Sequence, residues 1–249
     1  MKVNRIAEIE ASIQRHKMLS NEELCEMFSI SMQTLRRDLK VLEERGTVCK
    51  VYGGVVASDN HVATSIPSLH ERLNAAEQEK MKIGKTAASL VEEYDVLFVD
   101  SGTTAYRLIP YLNHFEHVTV VTHSLYVLNA LAELPNLTAI CLGGQMNSET
   151  RSFQMEPIDY PFTYTKAFIA TVGIDENGCT NTDLIEGRIK QHVLNRTQRA
   201  FLVADHSKFY SAGFNRFAKL DQFEAIITDQ KIPDKLSKVL KQKHITVYD

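Results

Sequence analysis

The sequence has few of the features that mark secreted, metal-binding or membrane proteins. Its four cysteines, Cys25, Cys49, Cys141 and Cys179, are scattered, and no two of them form a Cys-x-x-Cys pair. This spacing predicts reduced thiols and no zinc site, as in a cytoplasmic protein. No apolar run approaches the roughly 18 residues that cross a bilayer. The first residues also lack the apolar stretch of a secretory signal.

The composition is otherwise that of a globular protein. With 249 residues, 44% of them hydrophobic and 24% charged, the chain can bury the core of one large or two small domains. Its net charge of -3 does not by itself suggest a nucleic-acid partner. The first 55 residues carry nine Lys and Arg against eight Asp and Glu, whereas the remainder carries 19 against 23. This difference is mild, so the positions of the basic residues are more informative than their number.

Helical periodicity dominates the N-terminal segment. The isoleucines that recur at helical spacing are Ile6, Ile9 and Ile13, and the leucines are Leu35, Leu39 and Leu42. Ser20 and Glu23 form a capping box that predicts the start of a second helix, and Ser31 is expected to cap a third. Gly46 ends the third helix. Apolar residues on both sides of the glycine pair at 53–54 predict a hairpin.

The rest of the chain alternates between short apolar runs and helical stretches. The apolar runs are Val96 to Val99, Val118 to Val121, Leu137 to Leu142, Ala167 to Val172, Ala200 to Val203, Ala225 to Ile227 and Ile245 to Tyr248. The helical stretches are 75–92, 103–112, 125–134, 186–198 and 233–241. This alternation predicts an α/β domain with a mostly parallel sheet. We therefore divide the chain into a winged helix-turn-helix domain at 1–57, a polar linker at 58–72 and an α/β domain at 73–249.

The second and third predicted helices have the order of a helix-turn-helix, which presents its second helix to the major groove of DNA. Arg can read guanine, Gln can read adenine, and Ser or Thr near a helix start can bind phosphate. The hairpin adds a wing that would grip the DNA backbone. The residues expected to contact DNA are Ser20, Ser31, Gln33, Thr34, Arg36, Arg37, Lys40, Lys50 and Tyr52. The plainer alternative is a solvated amphipathic helix with a basic outer face.

Polar and glycine-containing segments follow the apolar runs of the α/β domain. In a parallel sheet the carboxyl ends of the strands share one edge, where ligands bind. The turn at 100–104 also opens a helix, whose dipole and free amides stabilise an anion such as phosphate. Lys208 would supply a cation at this edge, and Asp175 could hydrogen-bond sugar hydroxyls. The residues expected to bind a phosphorylated ligand are Asp100, Ser101, Gly102, Thr103, Thr104, Thr122, Gly143, Gly144, Gly173, Asp175, Glu186 and Lys208.

Each of these assignments has a structural alternative. The turn at 100–104 could only cap its helix, Lys208 could be solvated, and Asp175 could only terminate a turn. Glu186 and Lys190 stand four residues apart in the order that favours an ion pair on a helix surface, which is the stronger interpretation of that pair. No cluster of residues in the sequence predicts a metal site or a cofactor.

Two sets of motifs resemble one known family. Ser31 to Leu39, followed by Leu42, Gly46 and the segment Tyr52 to Val55, resembles the winged helix-turn-helix signature of DeoR-type bacterial transcriptional regulators. The segments that resemble the sensor domain of these regulators are Asp100 to Thr104, Leu142 to Gly144, Val172 to Asp175 and Asp205 to Lys208. The resemblance implies a repressor of sugar-utilisation genes that releases DNA when a sugar phosphate binds. It also implies a sensor similar in fold and phosphate loop to ribose-5-phosphate isomerase.

Two functional classes follow: a DNA-binding regulator, and a sugar-phosphate isomerase fused to a DNA-binding module. Isomerisation needs a base beside the substrate carbon. In the isomerase pattern a glutamate opens the helix before the Asp-x-Ser-Lys stretch, and counting back from Asp205 places Lys190 there. We therefore expect binding without catalysis. The expected partners are double-stranded DNA and a sugar phosphate, with no membrane, and the chain is expected to form a homodimer or homotetramer that reads repeated half-sites.

Overall fold

The structure of the chain is a computed structural model that describes residues 2–16, 18–51, 54–57, 67–155 and 159–249. At residues 2–4, 18, 49–51 and 56 it describes the backbone alone. The chain divides into two compact units, Met1–Ser65 with Ala212–Phe214, and Ile66–Ser211 with Asn215–Asp249. None of the helices in the described ranges is long and apolar enough to cross a membrane.

The described part of the first unit contains three helices and a small antiparallel sheet. Its elements are α1 (Lys2–His16), β1 (Met18–Ser20), α2 (Asn21–Phe28), α3 (Met32–Glu44), β2 (Val48–Val51) and β3 (Gly54–Ala57). In the sheet, β3 lies between β1 and β2. The sequence predicted the three helices and the β2–β3 pair. It did not predict β1, because a strand of three residues is too short to give an alternating pattern.

Local sequence explains where these helices begin and end. The Ser20 side chain accepts a hydrogen bond from the Glu23 amide at 3.0 Å, and the Glu23 carboxylate accepts one from the Ser20 amide at 2.7 Å. This confirms the predicted capping box. Ser31 caps α3 by accepting from the Thr34 amide at 3.3 Å. Gly46 follows α3 with a φ of +70°, which glycine adopts without strain. The predicted apolar stripes are buried together: Ile6, Ile9, Ile13, Leu35, Leu39 and Leu42.

The second unit alternates between strands and helices. Its helices are α4 (Leu69–Asn74), α5 (Glu77–Ala88), α6 (Thr103–Tyr106), α7 (Leu125–Leu131), α8 (Leu184–Leu194) and α9 (Asp234–Gln242). Its strands are β4 (Val96–Val99), β5 (Thr119–Thr122), β6 (Thr138–Cys141), β7 (Gln145–Asn147), β8 (Ser152–Gln154), β9 (Tyr164–Ala170), β10 (Gly173–Asp175), β11 (Gly178–Asn181), β12 (Thr197–Val203), β13 (Asn215–Ala218), β14 (Ala225–Ile227) and β15 (Thr246–Tyr248). Short 3₁₀ turns lie at Ile109–Tyr111, His206–Lys208 and Leu220–Gln222.

A seven-stranded sheet organises the second unit. Its strand order is β15-β14-β12-β9-β4-β5-β6, and every neighbouring pair is parallel. The seven apolar runs of the sequence are these seven strands, so the predicted parallel α/β architecture is confirmed. Two smaller antiparallel sheets, β7-β8 and β10-β11-β13, were not predicted. Their strands are short and polar at several positions, so they lack the apolar run that identifies the central strands.

The central strand β9 is buried on both faces, as a parallel sheet between helical layers requires. Ala167 and Ile169 belong to one apolar cluster, and Phe168 and Ala170 belong to the other. Because side chains alternate along a strand, the two clusters lie on opposite faces of the sheet. The sheet therefore separates two cores, and its carboxyl edge lies between them.

Several boundaries differ from the sequence prediction. The helix expected at 103–112 ends at Tyr106, because Pro110 lacks an amide hydrogen and disfavours helix before it. The expected linker at 58–72 overlaps α4, which begins at Leu69, while residues 58–66 lie outside the described ranges. Ala76, with a φ of +50°, separates α4 from α5, so the helix expected from residue 75 begins at Glu77.

A buried lysine at the amino end of β9 shows how charge is accommodated beside the core. Lys166 is 2% exposed, and its ammonium donates to Asp95 Oδ2 and to Glu92 Oε2, each at 2.6 Å. Asp95 also accepts from the Thr165 hydroxyl at 2.6 Å. Burial of such a charge is costly unless its partners remain in place.

Removal of the Asp95 carboxylate should destabilise the second unit. Asp95→Ala is expected to lower the free energy of unfolding by about 3 kcal/mol, because Lys166 is left buried with Glu92 as a single, largely exposed partner. Asp221→Ala, which breaks an exposed pair with Lys243, should change it by less than about 1 kcal/mol. Urea denaturation of the full chain measures both. Equal effects of the two substitutions would show that the buried pair has no special role.

Candidate functional site

The outer face of α3 carries the basic side chains that the sequence assigned to DNA. The exposed residues of this face are Gln33, Arg36, Arg37 and Lys40. Lys40 makes a long ion pair with Glu44 at 3.9 Å, whereas Arg36 and Arg37 make no ion pair with a carboxylate of the described residues. Both guanidinium groups therefore remain available to phosphates or bases.

The remaining residues expected at DNA lie at helix starts and in the wing. Ser20 and Ser31 cap α2 and α3, and the Ser31 hydroxyl lies 3.0 Å from that of Thr34. Lys50 lies in β2, where the backbone alone is described, and Tyr52 lies outside the described residues. The wing contacts therefore stay a prediction.

A partly buried ion pair that the sequence did not single out joins α3 to α1. Arg5 Nε donates to Asp38 Oδ2 at 2.8 Å, and Asp38 is 1% exposed. Asp38 lies on the inward face of α3 beside Leu35 and Leu39. A carboxylate within that apolar stripe is the signal that could have revealed the pair. It orients the helix whose opposite face carries the arginines.

In the second unit, polar residues from several strands meet at the carboxyl edge of the large sheet. Thr122, at the end of β5, donates to the Val99 carbonyl at 2.6 Å. Gly102 packs so closely that a Cβ there would lie 2.2 Å from the Ala170 Cβ, so no larger residue fits without a shift. Asp100, Ser101, Thr103, Thr104, Thr122 and His123 are all buried. The turn at 100–104 thus lies against β9, as the sheet topology requires.

The centre of this edge is a buried ion pair between α8 and the end of β4. Lys190 Nζ donates to Asp100 Oδ2 at 2.5 Å and to the Ala170 carbonyl at 2.8 Å, while the Ala170 amide donates to Asp100 Oδ2 at 2.9 Å. The expectation that Glu186 and Lys190 form a solvated surface pair is wrong, because the two residues are only 5% and 3% exposed. Both face the sheet rather than solvent.

Glu186 accepts hydrogen bonds from two serines of this edge. The Ser101 hydroxyl donates to Oε2 at 2.9 Å, and the Ser152 hydroxyl donates to Oε1. His123 Nε2 lies 3.7 Å from Oε1, and neither ring nitrogen of His123 has a hydrogen-bond partner among the described residues. Burial opposes ionisation, but His123, Lys190 and Ser152 outweigh it, so the pKa of Glu186 lies well below its usual range. The carboxylate is therefore an acceptor for hydroxyl groups.

The expectation that Lys190 stands where the isomerase pattern has its glutamate is also wrong. Asp183 caps α8 by accepting from the Glu186 amide, and Glu186 lies in the first turn of the helix. Lys190 lies one turn later. The sequence placed the helix start at 186 and its end at 198, whereas α8 ends at Leu194 and β12 begins at Thr197. The carboxylate is therefore present at the helix start.

A second group of charges lies beside this edge, and the sequence had identified only Lys208 within it. Lys80 Nζ donates to the Arg72 carbonyl at 2.5 Å and to the Ala75 carbonyl at 2.6 Å. The Thr103 hydroxyl donates to the same Arg72 carbonyl at 3.3 Å. Lys80 is only 3% exposed. The buried ammonium and the Thr103 hydroxyl thus converge on one carbonyl oxygen.

The charges around Lys80 are mostly positive. Burial lowers the pKa of Lys80 to about 8, and the charge of Asp205 opposes that effect. The charges of Lys208, Arg107 and Arg72 lower it further. Lys80 donates to the Arg72 carbonyl, Arg107 donates to the Leu73 carbonyl at 3.2 Å, and Lys208 Nζ lies 4.0 Å from Asp205 Oδ2. We call these five side chains the cation cluster. Its excess of positive charge fits a dianion such as a phosphate monoester.

The four-residue length of α6 changes the explanation of anion binding. The sequence predicted that a helix dipole would stabilise phosphate at the turn 100–104. A helix of a single turn has few aligned peptide groups, so its dipole adds little. The positive charge at this edge comes from the cation cluster instead.

Asp175 and Gly173 lie in β10 of the small antiparallel sheet, and Gly143 and Gly144 lie between β6 and β7. Asp175 pairs with Arg216 at 2.8 and 3.0 Å and accepts from the amides of Asn177 and Gly178. This is the turn alternative stated above. The Gly173 carbonyl accepts from the hydroxyls of Thr171 and Thr180 inside the small sheet. Gly143 and Gly144 are exposed between β6 and β7. The ligand-binding role expected for these residues stays a prediction.

Asp100, His123 and Glu186 also place one possible metal-ligand atom each within 4.8 Å of one another. Their surroundings do not fit a resident cation. The Lys190 ammonium already neutralises Asp100, and the charge of Arg72 interacts with both Asp100 and Glu186. A divalent ion would meet two fixed positive charges there. The donor set fits a ligand with several hydroxyl groups better.

Both units match models of one family. Residues 5–61 match the DeoR-like helix-turn-helix domain, and residues 75–230 match the DeoR C terminal sensor domain. The chain also has a distant likeness to the structure of ribose 5-phosphate isomerase A from Methanocaldococcus jannaschii. The TM-score is 0.41 at 17% identity, over 54% of this chain and 55% of that chain. A likeness at this distance says nothing about activity.

Relatives extend the match over the whole chain. The HTH-type transcriptional regulator IolR of Bacillus subtilis strain 168 is 34% identical over 254 residues, which cover 100% of this chain and 99% of that protein. The glycerol-3-phosphate regulon repressor of Escherichia coli strain K12 is 29% identical over 237 residues, which cover 94% and 93%. The chain therefore belongs to the DeoR family of DNA-binding transcriptional regulators.

Proposed function

We propose that this regulator represses a carbohydrate-utilisation operon and that a phosphorylated sugar controls its hold on DNA. The observation that carries the proposal is the pairing, at one sheet edge, of a cation cluster with buried acceptors for hydroxyl groups. A sugar phosphate has a phosphate that matches the cation cluster and hydroxyl groups that match the buried acceptors. The name of the glycerol-3-phosphate regulon repressor supports the same ligand class. As a DNA-binding regulator, the protein would act in the cytoplasm.

The first unit would read DNA through the outer face of α3. Arg36 and Arg37 are placed to contact bases or phosphates, and Gln33 and Lys40 lie on the same exposed face. A single unit of this size makes few base contacts. We therefore propose a homodimer or homotetramer that binds repeated half-sites.

Binding without catalysis remains the better proposal. The reason is now the environment of Glu186 and no longer the absence of a glutamate. Glu186 is present at the start of α8, but its low pKa makes it a weak base. Both of its oxygens already accept serine hydroxyls. The alternative, a sugar-phosphate isomerase fused to a DNA-binding module, requires this carboxylate to take a proton from carbon.

Loss of an arginine from α3 should weaken DNA binding. Arg37→Ala is expected to cost about 1 to 3 kcal/mol on an operator selected from a random duplex pool, and to reduce the salt dependence if the contact is to phosphate. Arg15→Ala, which removes an exposed charge from α1, is the matched control. Gel shifts at two salt concentrations measure both variants. Unchanged affinity of Arg37→Ala would remove α3 from the proposed DNA interface.

Changes at the sheet edge should separate effector binding from DNA binding. A thermal-shift screen of sugar phosphates identifies the effector, because a ligand of the native state raises Tm. The double variant Thr103→Val, Lys208→Ala should lose most of that shift yet bind its operator as the parent does. Lys231→Ala, an exposed substitution, should retain the shift. If the double variant still leaves DNA at the parent's effector concentration, the ligand binds elsewhere.

Catalysis can be tested directly. Incubation of the purified protein with ribose 5-phosphate should give no ketose above the buffer background, because both oxygens of the Glu186 carboxylate are held by serine hydroxyls. Colorimetric ketose detection measures the product. Turnover that persists through purification and disappears in Glu186→Gln would establish the enzyme instead.

A further inference from the structure

The first helix of the second unit, α4, is attached to its surroundings chiefly by polar contacts. None of its six residues is buried, and a helix of this length is marginal by itself. Lys80 and Thr103 bind the Arg72 carbonyl, and Arg107 Nη2 donates to the Leu73 carbonyl at 3.2 Å. The position of α4 therefore depends on residues of the cation cluster and of the turn at 100–104.

The same residues have unused capacity to bind an anion. Arg72 Nη2 and Arg107 Nε are buried without a hydrogen-bond partner among the described residues. Lys80 uses two of its three donors on carbonyl oxygens, so one remains. Lys208 has a distant contact, 4.0 Å from Asp205 Oδ2. Arg107 is paired with Glu77 at 2.8 Å, so the repulsion falls mainly on Arg72, Lys80 and Lys208, and it weakens the attachment of α4.

We propose that Arg72, Lys80 and Lys208 bind the phosphate monoester of the effector, and that the bound phosphate fixes α4 in its docked position. The inference rests on the proposed function, and it adds a subsite and a mechanism. The phosphate oxygens take the free donors and cancel the repulsion between the cations. Because Arg72 is itself part of α4, the ligand contacts this helix directly. The site takes a phosphate monoester dianion.

The place of α4 in the chain gives this binding event a consequence. Leu69 follows residues 58–66, which join the two units in sequence. A change in the docking of α4 therefore acts on the point where the chain leaves for the DNA-binding unit. A two-state helix whose equilibrium the ligand biases is the physical requirement for such coupling.

Hydrogen exchange of the full-length protein tests the proposal with inorganic phosphate as the probe. In 50 mM phosphate, against chloride of equal ionic strength, amides of residues 69–76 should exchange about tenfold more slowly. Lys80→Met and Arg72→Gln should each abolish that protection. Lys85→Met, on the exposed side of α5, should retain it. The measurement on the parent protein needs no substitution, so an unstable variant does not decide the result.

The outcomes distinguish this inference from the proposed function. Phosphate that protects residues 100–104 and 205–208 but leaves 69–76 unchanged would overturn the role of α4 and keep the ligand site. Absence of protection at all three segments would overturn the subsite. Protection of 69–76 by phosphate, together with no sugar phosphate that shifts Tm or releases DNA, would support the subsite and overturn the proposed function.

Discussion

The buried ion pair between Lys190 and Asp100 is the constraint on which the carboxyl edge of the large sheet depends. It joins α8 to the end of β4, and the Ala170 amide and carbonyl at the end of β9 complete it from the third side. An ion pair taken out of water is tolerated when its hydrogen bonds are satisfied, and here a backbone amide and carbonyl satisfy part of them. Three elements are thereby held at one point, and Glu186, one turn before Lys190, is placed beside Ser101.

The two halves of the edge differ in what they can recognise. Around Glu186, two serines and His123 form a buried region rich in hydrogen-bonding groups. Around Lys80, the positive charges exceed the negative ones. A neutral polyol suits the first and a phosphate suits the second. Arg72 connects them, because its charge interacts with Glu186 while its backbone is bound by Lys80.

The fold was more predictable than the site. Alternation of apolar runs and helices is local, so it revealed all seven strands of the large sheet, and capping residues located α2 and α3. The environment of a charge depends on tertiary packing instead. Glu186 and Lys190 look like a surface pair at i, i+4, yet both are buried against the sheet edge. From the sequence, Arg72 was assigned to the linker and Lys80 to a helix without a functional residue. Their proposed role depends on the tertiary contact in which Lys80 and Thr103 donate to the Arg72 carbonyl.

The free energy that couples ligand binding to DNA binding is small, so it can change the docking of a short helix more readily than the packing of the large sheet. A ligand that releases DNA must bind the DNA-free form more tightly, and by linkage DNA must weaken the ligand by the same factor, typically about 1 to 3 kcal/mol. A rearrangement of the large sheet would cost far more than this, because both of its faces are packed. Docking of α4, a six-residue helix with no buried side chain, involves a few hydrogen bonds, each contributing about 1 kcal/mol. Its equilibrium therefore lies within the range that one phosphate can shift.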